Sequence, residues 1–567
     1  MCGIWAFIQL INNINYNDKL LYEDFIKLQH RGPDFSSFQN FFNKIYIGFH
    51  RLAIMDPAFH ANQPYIIEDN NRTIIFICNG EIYNFKELNT KHNLNIINNS
   101  DCMVIPKLYL KYCNENDDLL SIDNKNFYKL FNNDIKGEFA FILCVFDKLH
   151  NLKEILIGRD QIGIRPLYYH PPNENSENLI FSSEIKGMSN FNDTISEFEP
   201  GLLINIKIND FQTFNSIETY NFKTVYNTKS TLNIISEYKD IEKYYLMKIK
   251  IAVINSIKRR LSADKPFAFL LSGGVDSSLV SAISAKLLNT KINTYCCGMH
   301  NDAPDLINAK IVADYIKSNH TNVYFSENEG LNILKDVIYT TETWDTTTIR
   351  ASIGQYLISK YIGQNTDAKV VMIGEGPDEV CSSYLFNYYA PSSDELHNTA
   401  IEFVKNIHLF DCRRTDRCIS RWGLESRVPL LDPEFIETYW SLPAEWRHPK
   451  YKGIEKWWLR KAFEDTNILP TDILWRKKEA FSDGISSKNN SWYLIISNYL
   501  SNLNEINDQK YINNNLTYET YFFKKFFIEF FGHKRLNIIP HYWQPKWINN
   551  NNNNEYIDPS ARILDVY

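Results

Sequence analysis

Phe267-Ala268-Phe269-Leu270-Leu271-Ser272-Gly273-Gly274-Val275-Asp276-Ser277-Ser278 decides how the larger part of this 567-residue chain folds. Its first five residues form an apolar run of strand length that the glycine pair ends. Beyond the turn, Leu279, Val280, Ile283 and Leu287 recur on one helical face, so the stretch reads as strand, Gly-rich turn and helix. Such a turn aims backbone N–H groups outward at the positive end of a helix, which is a seat for an anion. The lysine of a Walker A loop is absent. The expected anion is the pyrophosphate portion of ATP, released by attack at the α-phosphorus, with Asp276 available to Mg²⁺.

Outward from this motif, residues 292–297 and 369–373 are further apolar runs that alternate with helical segments, the pattern of a parallel α/β sheet. A helix is expected over 241–261, and the remainder reads as mostly helical. After the 369–373 strand comes Gly374-Glu375-Gly376-Pro377-Asp378-Glu379, at the carboxyl end where such sheets bind ligands. Asp378 can share Mg²⁺ with Asp276, and Glu375 can act as a base toward an incoming amine.

The first two hundred residues read differently. Short β-rich runs at 45–49, 73–78, 139–146, 155–158 and 179–182, with helices near 22–29 and 104–113, suggest α+β layers. Residues 200–238 look polar and irregular, which places a boundary near 212 and divides the chain into 2–212 and 213–567.

Cys2 gives the front region its chemistry. Removing Met1 leaves a thiol and a free α-amine on one residue, and an α-amine titrating near about 7.7–8.0 can take the thiol proton. Behind it, Trp5-Ala6-Phe7-Ile8 reads as a buried strand that anchors the terminus. Arg51, opening Arg51-Leu52-Ala53-Ile54-Met55-Asp56, can clamp a carboxylate, and Asp101 can hold an ammonium group. Asn79-Gly80-Glu81-Ile82-Tyr83-Asn84 follows a strand, so the Asn79 amide and the Gly80 N–H can converge on an oxyanion. Together these residues spell amide hydrolysis of an amino acid.

Composition agrees with small-molecule chemistry. A net charge of −7 without a long basic stripe argues against nucleic acid. No run reaches the roughly 18–20 apolar residues of a membrane helix, and the first residues lack the basic start of a signal peptide, so cytosol is the expected compartment. Ten cysteines without a Cys-x-x-Cys pair form neither a disulfide framework nor a zinc set. The asparagine runs, including 549–554, read as surface loops.

Taken together, Cys2-Gly3-Ile4, Gln29-His30-Arg31-Gly32-Pro33-Asp34, the Arg51 segment, residues 79–84 and residues 272–278 resemble the glutamine-hydrolysing asparagine synthetases. The resemblance continues through residues 342–352, 423–429 and 478–484, and the tail at 541–547 and 558–562 is similar to the eukaryotic-type enzymes. It implies an N-terminal-nucleophile glutaminase joined to an ATP-pyrophosphatase-type synthetase, a carbon–nitrogen ligase with ammonia passing between its halves. Cys2 would be the nucleophile and Asn79 with Gly80 the oxyanion hole. Arg51, Leu52, Ala53, Ile54, Met55, Glu81 and Asp101 would contact glutamine. Leu270, Cys297, Ile373 and Gly374 match positions lining the ATP site, and Ser272, Gly273, Gly274, Val275, Asp276 and Ser277 match the pyrophosphate loop. Thr347 and Arg350 fall in the aspartate-binding segment, Lys478 is suited to neutralise phosphate charge, and Glu375 is the leading base. A homodimer is the family's implication for assembly.

The chain departs from the family where Ser-Gly-Glu-Gly-Ser-Asp-Glu is usual and Ile373-Gly374-Glu375-Gly376-Pro377-Asp378-Glu379 stands. Pro377 removes an N–H and fixes φ, so a reshaped Mg²⁺ loop is expected. Two other readings stand beside synthesis of asparagine. One is β-lactam ring closure behind an inactive front domain, which the set Cys2, Arg51, Asn79 and Asp101 opposes. The other is a chain that binds nucleotide without turnover.

Overall fold

Cys2 leads into strand β1 (Gly3–Gln9), buried along almost its whole length. Side chains alternate across a strand, so Ile4, Ala6 and Ile8 share one face. In this computed structural model that face packs on Ile75, Ile77, Ala140 and Ile142 of a second sheet. The structure describes residues 1–10, 17–69, 71–112, 125–171, 178–191, 194–209, 214–223, 225–230, 240–478, 484–486, 491–502, 518–541 and 543–547. The expected tail motif at 558–562, the asparagine run at 549–554 and residues 479–483 lie outside them. Two compact units are present: Met1–Thr224 with Ser262–Lys265 and Ser420–Glu425, and Val225–Leu261 with Pro266–Ile419 and Ser426–Tyr567.

The remaining strands of the first unit are β2 (Phe35–Phe41), β3 (Ile45–Arg51), β4 (Tyr65–Glu68), β5 (Arg72–Ile82), β6 (Gly137–Asp147), β7 (Leu152–Arg159), β8 (Tyr168–Tyr169), β9 (Asn178–Ser182), β10 (Ser196–Glu197), β11 (Leu202–Ile208) and β12 (Phe214–Asn221). They form two six-stranded sheets, ordered β10-β8-β9-β1-β3-β2 and β12-β11-β7-β6-β5-β4. Every pairing between these strands is antiparallel. One apolar cluster fills the space between the sheets, and a second covers the outer face of the β5–β6 sheet with Val104, Leu108, Phe127 and Phe131 from two helices. This is the expected α+β sandwich.

Several boundaries differ from the sequence reading. The helices span Asp18–Ile26 and Val104–Tyr112, and Phe85–His92 and Lys125–Asn133 add two that were not anticipated. The stretch read as irregular after residue 200 holds the β11–β12 hairpin, where the buried Asn205 and Lys207 interrupt the buried row Ile204, Ile206 and Ile208 and hide it. The expected boundary at 212 falls between these two strands, among residues that are not described, and the first unit continues to Thr224. Residues 79–82 continue strand β5 instead of following it.

The second unit is built on five strands, β13 (Phe267–Leu270), β14 (Asn293–Gly298), β15 (Asn319–Tyr324), β16 (Val370–Met372) and β17 (Glu425–Arg427), in the order β15-β14-β13-β16-β17. β13 pairs in parallel with both β14 and β16. The chain therefore leaves β13 toward one side of the sheet and later returns to its other side, which makes the carboxyl end of β13 a topological switch point. Helix Val275–Leu288 packs on β13 and against helix Ile241–Arg260, and helix Thr346–Asn365 leads toward β16.

Candidate functional site

In the first unit Cys2 extends the inward row of β1, and Asn79 extends the inward row Ile75, Ile77 of β5. The Cys2 thiol donates to the Leu52 carbonyl at 3.9 Å, and its carbonyl accepts from Arg31 Nε at 3.0 Å. Arg31 is wholly buried and is held in turn by Glu184 at 2.6 Å and Ser420 at 3.2 Å. Burial pushes the Cys2 thiol up to about 11, so it is protonated at neutral pH and needs a base. The Met1 α-amine shows how this environment treats an amine: burial lowers it to about 6 against the attraction of Glu425, leaving it largely neutral at pH 7.

The strand ladder fixes the directions of the candidate oxyanion residues Asn79 and Gly80. Tyr83 N donates to Lys136 O at 2.8 Å, so residues 83, 81 and 79 occupy hydrogen-bonded positions against β6, and Gly80 points its N–H away from β6. Along that same edge, Cys78 N donates to Gln63 Oε1 at 2.6 Å and Ile82 N donates to Asp101 Oδ2 at 2.7 Å. The Asn79 carboxamide is fully buried, and neither its nitrogen nor its oxygen has a hydrogen-bond partner. Buried amides without partners are exceptional, and here the unpaired group lies in the inward row of β5, which packs against the β1 row that Cys2 extends.

Arg51 differs from expectation. Its Nη1 donates to Ala58 O at 3.0 Å and Asn62 Oδ1 at 2.6 Å, and its Nη2 donates to Met55 O at 3.2 Å and to Asp56 O. All four terminal hydrogens are spent on the segment 52–62, so in this conformation the guanidinium shapes that loop instead of offering a free fork to a carboxylate. The loop is pinned further by Ala53 N to Asp34 Oδ2 at 2.8 Å and by Asp264 N to Ile54 O at 3.1 Å. Asp101 and Glu81 are both buried, and burial raises the Asp101 carboxyl to about 6.

The second unit holds an open cavity of about 1030 Å³, including its mouth, at the carboxyl ends of β13, β14 and β16. It is lined by Leu270, Ser272, Gly274, Val275, Asp276, Ser277, Cys297, Ile373 and Gly374, together with Glu375, Asp378 and Lys478. Of the expected ATP residues only Gly273 is absent from the lining. Its φ of +74° and a position where a Cβ would come within 2.4 Å of Asn308 explain the glycine by backbone geometry. Gly374 is required for a different reason, because a Cβ there would lie 2.5 Å from the Ser277 amide nitrogen. The β16 loop and the N-terminal turn of the helix thus meet backbone to backbone.

Asp276 and Asp378, more than a hundred residues apart in sequence, are joined by Lys456, whose ammonium lies 2.5 Å from one and 2.6 Å from the other. Lys478 reaches the second oxygen of Asp378. Burial opposes ionisation of Asp378, but the two ammonium groups outweigh it and hold its carboxyl far below the usual range. Asp276 is pushed up by burial despite Lys456, and its Oδ1 is buried without a partner. Two converging carboxylates with an unpaired oxygen fit a hard divalent cation that completes its shell with phosphate oxygens. Pro377 fits this loop without a lost hydrogen bond. It occupies the first position of the short helix Pro377–Val380, where its missing N–H is one the helix leaves unpaired anyway.

Glu375 also lines the cavity, 2.9 Å from Arg414, which Asp411 holds at 2.6 Å. Burial raises the Glu375 carboxyl against the pull of Arg414, the direction a general base needs. Arg350 departs from expectation: its Nε donates to Glu519 Oε1 at 2.9 Å and its Nη2 to Glu519 Oε2, beneath the Tyr493 ring. Its fork is occupied by a protein carboxylate, and it does not line the cavity. The Thr347 hydroxyl, on the same helix, is buried without a partner. Sequence reading missed Lys456 and Arg414, since an isolated lysine or arginine carries no local pattern that would mark it.

A model of the asparagine synthase family matches residues 248–400 and 389–548, and a glutamine amidotransferase domain model matches residues 1–244. The chain is 37% identical over 596 residues to the Mus musculus protein named asparagine synthetase (glutamine-hydrolyzing), covering 100% of this chain and 99% of that one. The Homo sapiens protein of that name is 36% identical over 596 residues with the same coverage. Among solved structures, a glutamine phosphoribosylpyrophosphate amidotransferase from B. subtilis covers 52% of this chain and 65% of its own at 19% identity and a TM-score of 0.30, a likeness too slight to decide anything. Two family models in tandem and full-length relatives at this identity place the chain in the family of glutamine-hydrolysing asparagine synthetases.

Proposed function

We propose that this chain makes L-asparagine from L-aspartate, drawing its nitrogen from L-glutamine and its driving force from cleavage of ATP to AMP and pyrophosphate. In the first unit, with Met1 removed, the α-amine of Cys2 takes the thiol proton and Sγ attacks the side-chain carboxamide of glutamine. The Asn79 amide and the Gly80 N–H stabilise the developing oxyanion, ammonia leaves, and water releases glutamate from the γ-glutamyl thioester. Asp101 holds the substrate ammonium while the loop 52–55 presents its backbone.

In the second unit the β-carboxylate of aspartate attacks the α-phosphorus, and pyrophosphate departs into the turn of residues 272–277. Lys456 and Lys478 take up its charge. Asp276 and Asp378 would hold Mg²⁺, which supplies Lewis-acid neutralisation of the phosphates. Glu375 deprotonates ammonia as it attacks β-aspartyl-AMP. A cytoplasmic homodimer is the proposed state. Among the described residues no helix is long and apolar enough to cross a membrane.

The observation that carries this reading is the convergence of Asp276, Asp378, Lys456 and Lys478 beside the Gly-rich turn. The test supplies amide-¹⁵N glutamine or ammonium to wild type and to Cys2→Ala. Wild type should place the label in asparagine and form AMP. The variant should lose the glutamine-dependent reaction and keep the ammonium-dependent one. ADP as the product, or loss of both reactions, would refute the scheme.

A further inference from the structure

The cavity of the second unit is lined by carboxylates and lysines beside the Gly-rich turn and also by the apolar side chains of Leu270, Tyr295, Cys297, Ile358 and Ile373. Gln355, three residues before Ile358 and so on the same helix face, lines it as well. It lies on helix Thr346–Asn365, is 2% exposed, and its Oε1 is buried with no hydrogen-bond donor. Its neighbour Gly354 accepts the Cys297 thiol at 3.5 Å, which seats this turn of the helix against the end of β14. An amide left unpaired among apolar groups is strongly disfavoured unless a ligand completes it. The last torsion of a glutamine side chain is soft, so either amide atom can be turned to the cavity.

We propose that Gln355 reads the base of the nucleotide, its oxygen accepting from the 6-amino group of adenine and its nitrogen donating to the adjacent ring nitrogen. A carboxamide presents an acceptor beside a donor, the complement of that edge. The charged groups beside the Gly-rich turn take the phosphates, so the base falls against the apolar residues that Gln355 accompanies, the usual pattern of an apolar pocket with a few placed polar groups. This assignment rests on the ATP reading above and names a specificity residue for it.

The experiment compares ATP with purine riboside triphosphate, which lacks the 6-amino group, in ammonium-driven asparagine formation. Wild type should favour ATP by about tenfold in kcat/KM, and Gln355→Met should collapse that preference toward unity. Its KM for ATP should rise by about tenfold with kcat little changed. Equal use of the two nucleotides by wild type overturns the proposal without any variant. So does an unchanged preference in Gln355→Met, or a change confined to the KM for aspartate. Failure of wild type to form AMP from ATP would instead refute the underlying function.

Discussion

Asp101→Asn should stabilise the chain at alkaline pH while disabling glutamine use. Asp101 is 7% exposed, and burial lifts its carboxyl from 3.8 to about 6 against the hydrogen bonds from Ile82 and Cys102. The folded chain therefore binds this proton more tightly than the unfolded one. Its contribution to stability is full below about pH 4 and declines as pH rises through 6. A shift of this size corresponds to about 3 kcal/mol at pH 8, at about 1.36 kcal/mol per unit. Asparagine carries no charge and so escapes that loss, while its oxygen can still accept the Ile82 N–H that lies 2.7 Å from Asp101. Relative to wild type, Asp101→Asn should be more stable by about 1 kcal/mol at pH 4.5 and by up to about 3 kcal/mol at pH 8. For a unit of this size that is about 6 °C or more in Tm. Asp101→Ala separates charge from hydrogen bonding, because it strands the Ile82 N–H at a cost of about 1–3 kcal/mol. Thermal melts of all three proteins between pH 4.5 and 8.5, with asparagine formation from glutamine and from ammonium, test the reasoning. A Tm difference between wild type and Asp101→Asn that does not grow with pH would refute it, as would undiminished glutamine-dependent synthesis.

Gly374→Ala should abolish ATP-dependent synthesis and leave glutamine hydrolysis intact, since its methyl group would lie 2.5 Å from the Ser277 amide and force the two loops apart. The destabilisation expected of such overpacking is about 1–3 kcal/mol, readable in denaturant melts. Lys456→Met leaves Asp276 and Asp378 facing one another without their shared cation. Asparagine formation from ammonium should fall by about a hundredfold or more, and added Mg²⁺ should raise the Tm of this variant more than that of wild type.

The Gly-rich turn after β13, the α/β pattern around it and the front α+β layers were all readable from local sequence, because apolar periodicity and turn glycines act within a few residues. Cys2, Asn79 and Gly80 were likewise singled out as candidates by their motifs. The β11–β12 hairpin was not, since Asn205 and Lys207, buried themselves, break up the apolar run of β11 and hide its row Ile204, Ile206 and Ile208. Arg51 and Arg350 show the same limit in the sites. Their type suits a carboxylate clamp, but whether the fork is free depends on which carbonyls or carboxylates the fold brings to it, and here those are the 55–62 loop and Glu519.

By itself the sequence marked the strand, Gly-rich turn and helix at 267–288 and singled out Cys2 as the candidate nucleophile. Each of these is a property of contiguous residues, fixed by steric limits on the backbone and by the chemistry of a single side chain. Only the tertiary structure decided that Lys456 stands between Asp276 and Asp378, that Arg414 faces Glu375, and that the Gln355 Oε1 is left unpaired beside the cavity of the second unit. Those facts depend on which distant segments the switch point of the parallel sheet gathers at its carboxyl end. They rest on burial, because an ion pair or an unpaired amide has its force only where water has been excluded.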